Sequence, residues 1–496
     1  MKRALLGAAL AFSLPALALD GEIAIHDPST VIASDGRYYT FGTGKGLPFL
    51  VSDDGWTWQR GGSLMSALPG GKPGPDVLAR GGDNTWAPDV IHVGDNFFVY
   101  YAAPGTQPRA AIGLLVGRSL DPGSPEYKWQ DGGAVAWSDG VEDSNAIDPG
   151  VLLDPTDGRL WLTYGSYFGY IRLVELDPQT GRRRDSHRAP VNIAINSEAS
   201  VLVYHDGWYY LFVTHGSCCA GASSTYNIRV GRARKVTGPY LDNMGIDMLE
   251  GGGKLFAGSR GRHIGPGHFG LLDLGDGVQK FSLHYEADLD RGGISVLDIR
   301  PLLWRDGWPI AGDNLVAGTY TLESVRTGTV LELAVQGVPV GGPRPRRPGG
   351  SGPPQEPRIG PPIPDQDVAE VAASWPATTD VRLAPAMLQA QQKWSIAPVR
   401  GAGGYPGAPY FRITVAGTER SLTATAGGEL AAMPFTGAPT QLWRIDQLTD
   451  GSYRIGPKEI PGTHETLVLS AVGSSMPTLA KFDPSSDRQR WILGTP

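Results

Sequence analysis

Short apolar stretches broken by glycine turns set the rhythm of the first 290 residues. Five times the chain passes through a short apolar strand, a turn on Gly, and a second strand rich in aromatics. The turns fall at Gly36, Gly94, Gly158, Gly207 and Gly277, 49 to 70 residues apart. The strands after them read Tyr38-Tyr39-Thr40-Phe41, Phe97-Phe98-Val99-Tyr100-Tyr101, Trp161-Leu162-Thr163-Tyr164, Tyr209-Tyr210-Leu211-Phe212 and Phe281-Ser282-Leu283-His284-Tyr285. Runs this short, bounded by turn residues and rich in aromatic and β-branched side chains, predict strands rather than helices. Multi-strand repeats at this period are the signature of a β-propeller, whose innermost strands line one axis. A sandwich would not explain why polar residues recur at a fixed offset from the turns. A five-bladed propeller is therefore expected over residues 20–312.

Those polar residues carry the first hint of chemistry. Nine or ten residues before four of the turns, at the start of the preceding strand, stand Asp27, Asp148, Glu198 and His268. The second repeat offers Trp86 and Asp89 instead. Equivalent positions of a propeller meet at one mouth, so the 171 residues between Asp27 and Glu198 would not keep them apart.

Beyond Asp313 the rhythm changes. Gln392-Lys393-Trp394, Gln441-Leu442-Trp443 and Gln489-Arg490-Trp491 recur 49 and 48 residues apart, each closing a strand–turn–strand stretch. Three such units resemble the ricin-type β-trefoil, so residues 313–496 are expected to form one and the whole chain to be all-β. The resemblance implies that the Gln-x-Trp pairs pack the trefoil core. Sugar binding there is implied by the same resemblance, with a degenerate, non-binding trefoil as its rival. Within the first unit, residues 337–364 are dominated by Pro, Gly and Arg, too poor in apolar side chains to fold, and predict a flexible loop.

Composition narrows the setting. A chain of 496 residues exceeds one typical core, which fits two domains. Lys2-Arg3, an apolar run from Ala4 to Leu19, and Ala16-Leu17-Ala18 read as a signal peptide over residues 1–18. The run falls short of the ~20 apolar residues that span a bilayer, so a secreted or periplasmic protein with no membrane attachment is expected. With 43 Lys and Arg against 50 Asp and Glu, the net charge is -7, which argues against nucleic acid as the main partner. The only two cysteines are adjacent, Cys218-Cys219, so a disulfide scaffold is excluded. A vicinal disulfide and two reduced, packed thiols both remain open.

The carboxylates point to a reaction class. Asp27 lies in His26-Asp27-Pro28-Ser29, Asp148 in Asn145-Ala146-Ile147-Asp148-Pro149, and Glu198 in Asn196-Ser197-Glu198-Ala199. Two acids suffice for glycoside hydrolysis: one protonates the leaving oxygen while the other activates water or attacks. A third nearby carboxylate raises the pKa of the acid by like-charge repulsion. A single Asp-Pro is an ordinary turn; three acids at one repeat offset are not.

Further motifs follow in order: Asn84-Thr85-Trp86-Ala87-Pro88-Asp89, Leu160-Trp161-Leu162-Thr163-Tyr164-Gly165-Ser166, Cys218-Cys219-Ala220-Gly221 with Ser224-Thr225-Tyr226, Gly265-Pro266-Gly267-His268, and Ile299-Arg300-Pro301-Leu302. From His26 to Pro309 the chain thereby resembles the five-bladed-propeller glycoside hydrolases of family 43, in their arabinanase-like branch. That resemblance implies Asp27 as the general base, Glu198 as the general acid, and Asp148 as the residue that tunes and orients it. It implies an inverting reaction, which needs room for water between base and sugar. It also matches His268 to a histidine that holds a metal ion, usually calcium, largely through waters. A structural or substrate-contacting histidine is the alternative, since calcium prefers oxygen donors. Sugar contacts are expected from Trp86, Asn145, Ser166 and the loop around Cys219, with blade packing as the rival role for Trp86. Tyr38, Tyr39, Tyr209 and Tyr210 recur with the repeat and are assigned to packing. Two departures, Ala199-Ser200 after the acid and Tyr167-Phe168-Gly169-Tyr170, bear on subsite shape.

The resulting expectation is a secreted, inverting hydrolase of α-1,5-linked L-arabinan, monomeric, acting on arabinan or the arabinose-containing side chains of pectin in plant cell walls. The alternatives are an exo-acting α-L-arabinofuranosidase or xylosidase-like relative, and a catalytically silent propeller-lectin. The last is disfavoured because all three acids survive. A metal-dependent hydrolase of another kind lacks a clustered ligand motif.

Overall fold

The computed structural model describes residues 19–334 and 378–496, apart from Gln107 and Glu142. The expected signal peptide and the expected loop over 337–364 lie outside the described residues. One compact unit ends at Asn314 and takes in Gly404–Ala408; the other runs over Leu315–Gly403 and Pro409–Pro496. Among the described residues, Pro75–Arg80 is the single α-helix, and no helix is long and apolar enough to cross a membrane.

The first unit is a five-bladed β-propeller. Each blade has an antiparallel meander that begins with its inner strand, Ile32–Ser34, Trp86–Val93, Gly150–Leu153, Glu198–His205 or His263–Asp273, and in the first blade Asp20–Gly21 adds a parallel edge beside Thr57–Ser63. The glycine turns join the inner strand to the next. All five glycines have φ between 60° and 76°. In the first and fourth blades the preceding Asp35 and Asp206 are left-handed too, as a two-residue turn of matching twist requires; in the fifth, Asp276 is left-handed within a longer turn.

Why the second strands are so apolar is clear from blade two. Strand Asn96–Pro104 is covered on both faces: Phe97, Val99, Tyr101 and Ala103 pack with Tyr39, Phe41 and Phe49 of blade one. The alternate residues Phe98, Tyr100 and Ala102 pack with Leu160, Leu162 and Tyr164 of blade three. The pattern continues around the ring, Trp161 and Leu173 meeting Tyr209 and Leu211. Phe212 stacks on Phe269 at 3.8 Å between centroids. Each such side chain contributes about 2 kcal/mol by burial. The expected packing roles hold for Tyr39, Tyr209 and Tyr210, all buried; Tyr38 is half-buried.

Two devices tie blades together. Asp89 accepts a hydrogen bond from the Thr30 N–H at 3.1 Å and from the Val151 N–H at 2.9 Å, linking the inner segments of blades one, two and three. Ala24 bridges Val296, flanked by Leu297 N–H to Ile23 O (2.9 Å) and Ile25 N–H to Ser295 O (3.2 Å). That joins the segment before blade one to blade five and closes the ring.

Among the described residues, the second unit has three successive groups of four strands, the last of each opening on the Trp of a Gln-x-Trp. The three tryptophans are fully buried, and their Nε1–H groups donate to Leu331 O, Leu422 O and Leu469 O at 2.8–2.9 Å. The glutamine Oε1 atoms accept from the N–H of Met387, Thr436 and Asp483. The motif is thus a repeated core fastener, an arrangement in keeping with a β-trefoil.

Candidate active site

Each inner segment carries one residue in the left-handed region: Asp27 (φ 48°), Ala87 (37°), Asp148 (55°), Ala199 (51°) and His268 (53°). This conformation costs roughly 1–2 kcal/mol for a residue with a Cβ. Asp27 and Asp148 adopt it before their strands begin, and Ala87, Ala199 and His268 at register shifts within theirs. It also refines the repeat. Ala199, not Glu198, is the fourth blade's counterpart of Asp27 and Asp148, so the acid stands one residue earlier. His268 lies within its strand, at a register shift between Gly267 and Gly270, rather than at the start.

The three acids interact with one another. Asp148 Oδ2 accepts the Ala199 N–H at 3.2 Å, which holds it against the backbone of Glu198. Burial, and then the charges of Glu198 and Asp27, push the Asp148 carboxyl well above the usual range. Burial also raises Glu198, opposed by hydrogen bonds from Tyr226 and Ser166 and reinforced by the Asp27 and Glu286 charges. Ser166 Oγ donates to Glu198 Oε2 at 2.8 Å, and Tyr226 Oη donates to Oε1. A carboxyl raised by its surroundings beside one held low is the division of labour that general acid–base hydrolysis needs.

Asp27 is the ionised partner. Its Oδ2 accepts from Thr43 Oγ1 at 2.6 Å and from His26 Nδ1 at 2.8 Å. Its Oδ1 lies 3.1 Å from His268 Nδ1, and its own N–H donates to His284 Nδ1 at 2.7 Å. Burial alone would raise this carboxyl; His268, His26 and His284 more than reverse it and hold it well below the usual range. Burial depresses His268 and His284, so His26 is the imidazole charged at neutral pH. Burial opposes that charge, but Asp27 and Glu286 on its two nitrogens outweigh it and push His26 up to about 10.

Ligand atoms of His26, Asp27 and His284 lie within 4.8 Å of one another. They do not read as a metal site, because His26 spends both nitrogens on carboxylates and His284 Nδ1 accepts the Asp27 N–H. The expected metal residue, His268, offers more. Its Nε2 is buried with no hydrogen-bond partner among the described residues, which suits a ligand outside the protein.

The remaining predicted contacts divide. Asn145 is fully buried with both side-chain amide atoms unpartnered, as a polar group awaiting a hydroxylated ligand or water would be. Trp86 packs against the core between blades two and three yet stays half-buried. Ser166 serves Glu198. Cys219 is exposed, left-handed at φ 60°, and closed into a disulfide with Cys218. Its N–H donates to Glu286 Oε2 at 2.9 Å.

Sequence reasoning missed His26, Thr43, Tyr226, His284 and Glu286 as site residues. For the last two a signal existed. In Phe281-Ser282-Leu283-His284-Tyr285-Glu286-Ala287 every second residue is polar although the strand is buried throughout. Such alternation in a strand covered on both faces marks a polar stripe facing the axis. Gly267 makes room for that stripe: a Cβ there would come 2.8 Å from Tyr226 and 3.1 Å from His284 Nε2.

Residues 22–309 match the model of the glycosyl hydrolases family 43. The chain belongs to this family. It is 34% identical over 293 residues to the extracellular endo-α-(1→5)-L-arabinanase 1 of Bacillus subtilis, covering 58% of this chain and 87% of that protein. It is 32% identical over 310 residues to an extracellular exo-α-(1→5)-L-arabinofuranosidase of Cellvibrio japonicus, covering 58% and 86%. Among solved structures it resembles an exo-1,5-α-L-arabinanase from a bovine ruminal metagenomic library (35% identity, TM-score 0.53, 58% and 96% covered). A Cellvibrio cellulosa α-L-arabinanase complexed with arabinohexaose is similar too (29% identity, TM-score 0.54, 58% and 95% covered). The family 43 chain is thus a glycoside hydrolase, and its propeller is the part these relatives share.

Proposed function

We propose that this family 43 enzyme hydrolyses α-1,5-linked L-arabinan with inversion. Asp27 acts as the base that activates water, Glu198 as the acid that protonates the leaving oxygen, and Asp148 as the residue that orients and tunes Glu198. The observation that carries this reading is the electrostatic split: Asp27 ionised among imidazoles, Glu198 raised by burial. The names of its relatives supply the substrate, and two of them are called extracellular, which agrees with the signal-like N-terminus. The polymer is met outside the cytoplasm, in arabinan or pectin side chains, and the enzyme acts as a monomer. The second unit binds polysaccharide, raising the local substrate concentration as linked binding modules do.

For calcium, His268 Nε2 is the group that would hold the ion, with water completing its coordination. When bound, the ion supplies positive charge near the base.

Linear, debranched and branched arabinan and an aryl-arabinofuranoside, incubated separately with the full chain, test the substrate. Release of oligosaccharides or arabinose from linear arabinan is expected. Cleavage of the aryl glycoside alone would shift the reading to an arabinofuranosidase, and no cleavage of any would overturn it.

A further inference from the structure

We propose that Glu286 is a positioning residue of the hydrolytic site, tying the base Asp27, by way of His26, to the loop that carries the vicinal disulfide. The proposal rests on the arabinan-hydrolase reading above. Glu286 stands on strand Gln279–Asp288 with its side chain 2% exposed, and among the described residues its ion-pair partners are imidazoles only. Each oxygen has a different task. Oε1 accepts from His26 Nε2 at 3.0 Å, and Oε2 accepts from the Cys219 N–H at 2.9 Å. His26 completes the tie with Nδ1 to Asp27 Oδ2 at 2.8 Å.

A buried carboxylate costs several kcal/mol unless it is paired and hydrogen-bonded. A structural role would be met more simply by an apolar side chain. Here the carboxylate instead fixes both ends of a chain of contacts that starts at an exposed loop and ends at the base. With both nitrogens engaged, the His26 ring cannot turn. It thereby holds Asp27 Oδ2 in place together with Thr43, in a backbone conformation that is costly for Asp27 to adopt. At the other end Cys219, also left-handed, is closed to Cys218 and pinned by its N–H. A sugar resting on this loop therefore acts on Asp27 through two side chains, Glu286 and His26. A base misplaced by about 1 Å can lose ~10²-fold in rate.

The test compares wild type, Glu286→Gln, Glu286→Asp, His26→Gln and the Glu286→Gln/His26→Gln double variant as full chains, in steady-state hydrolysis of linear arabinan with thermal unfolding alongside. Glu286→Gln should fold and lose about 10- to 100-fold in kcat, with KM changed less than ~3-fold. Glu286→Asp, which keeps the charge, should recover part of the loss. His26→Gln should lose a similar factor, and the double variant should lose little more than either single one, because all interrupt one tie. A folded Glu286→Gln with kcat within ~2-fold of wild type overturns the proposal, as do single losses that multiply in the double variant. If Glu286→Gln does not accumulate folded, His26→Gln with unchanged kcat overturns it instead. Wild type inactive on every arabinan contradicts the reading beneath; an active wild type with indifferent variants contradicts only the proposal.

Discussion

At Glu198, burial and hydrogen bonding pull in opposite directions. Burial raises its pKa, while Tyr226 and Ser166 donate to the ionised form and lower it. Tyr226→Phe removes one donor, so the acid stays protonated to higher pH. The alkaline limb of kcat/KM should move upward, by a fraction of a unit to about one unit, which is ~1.4 kcal/mol. A pH profile of this variant checks it; a limb that moves down means that Tyr226 does not stabilise the ionised acid. Asp27, held low, stays ionised well into acid solution, so activity should persist as the pH falls toward ~4, the ordinary value for an aspartate. The acids themselves were legible because residue type and approximate repeat offset pointed the same way, with a following Pro at Asp27 and Asp148. Their partners were not. Thr43 and Tyr226 come from segments whose sequence gives no offset to compare, and His284 sits in a strand whose aromatics suggested packing. One position was misread: the repeat marks Ala199, and Glu198 is its neighbour.

Among the elements, the inner segments carry the most consequence per residue. Asp89 alone occupies two backbone donors from neighbouring blades, and burial raises its own pKa against four hydrogen bonds that lower it. Asp89→Ala leaves two buried N–H groups unpaired at ~1–3 kcal/mol each, so denaturant unfolding should show a loss on the order of 3 kcal/mol. Asp89→Asn, which keeps an acceptor, should lose less. A loss below ~0.5 kcal/mol for the alanine would mean that water or a neighbour takes over the bonds. Strand existence was readable because the second strands are apolar on both faces and short. Function within them was harder to read, since only the fifth carries the polar alternation of Ser282, His284 and Glu286. In the second unit the Gln-x-Trp spacing gave the three-fold order outright, because each Trp meets the same kind of carbonyl.

The whole propeller depends on a closure that the repeat does not reveal. Ile23 to Ile25 lie before the first recognisable strand, yet they pair with strand Ile294–Arg305 of blade five. Ile25→Pro removes the donor to Ser295 and should cost about 1–3 kcal/mol, lowering the unfolding midpoint by roughly 2–8 °C. An unchanged midpoint would place the closure elsewhere. Ring closure matters for chemistry because Asp27 in blade one and His268 and Glu286 in blade five meet across that seam. The convergence of distant residues followed from counting turns, whereas the seam is a long-range pairing with no local pattern behind it. In the proposed reaction Asp27 and Glu198 hydrolyse arabinan as base and acid. Its most direct test is linear arabinan incubated with wild type and with Glu198→Gln, products followed by chromatography. Hydrolysis by wild type is expected, with a loss of about 10²- to 10⁴-fold in the variant. Equal turnover by the two would contradict these roles.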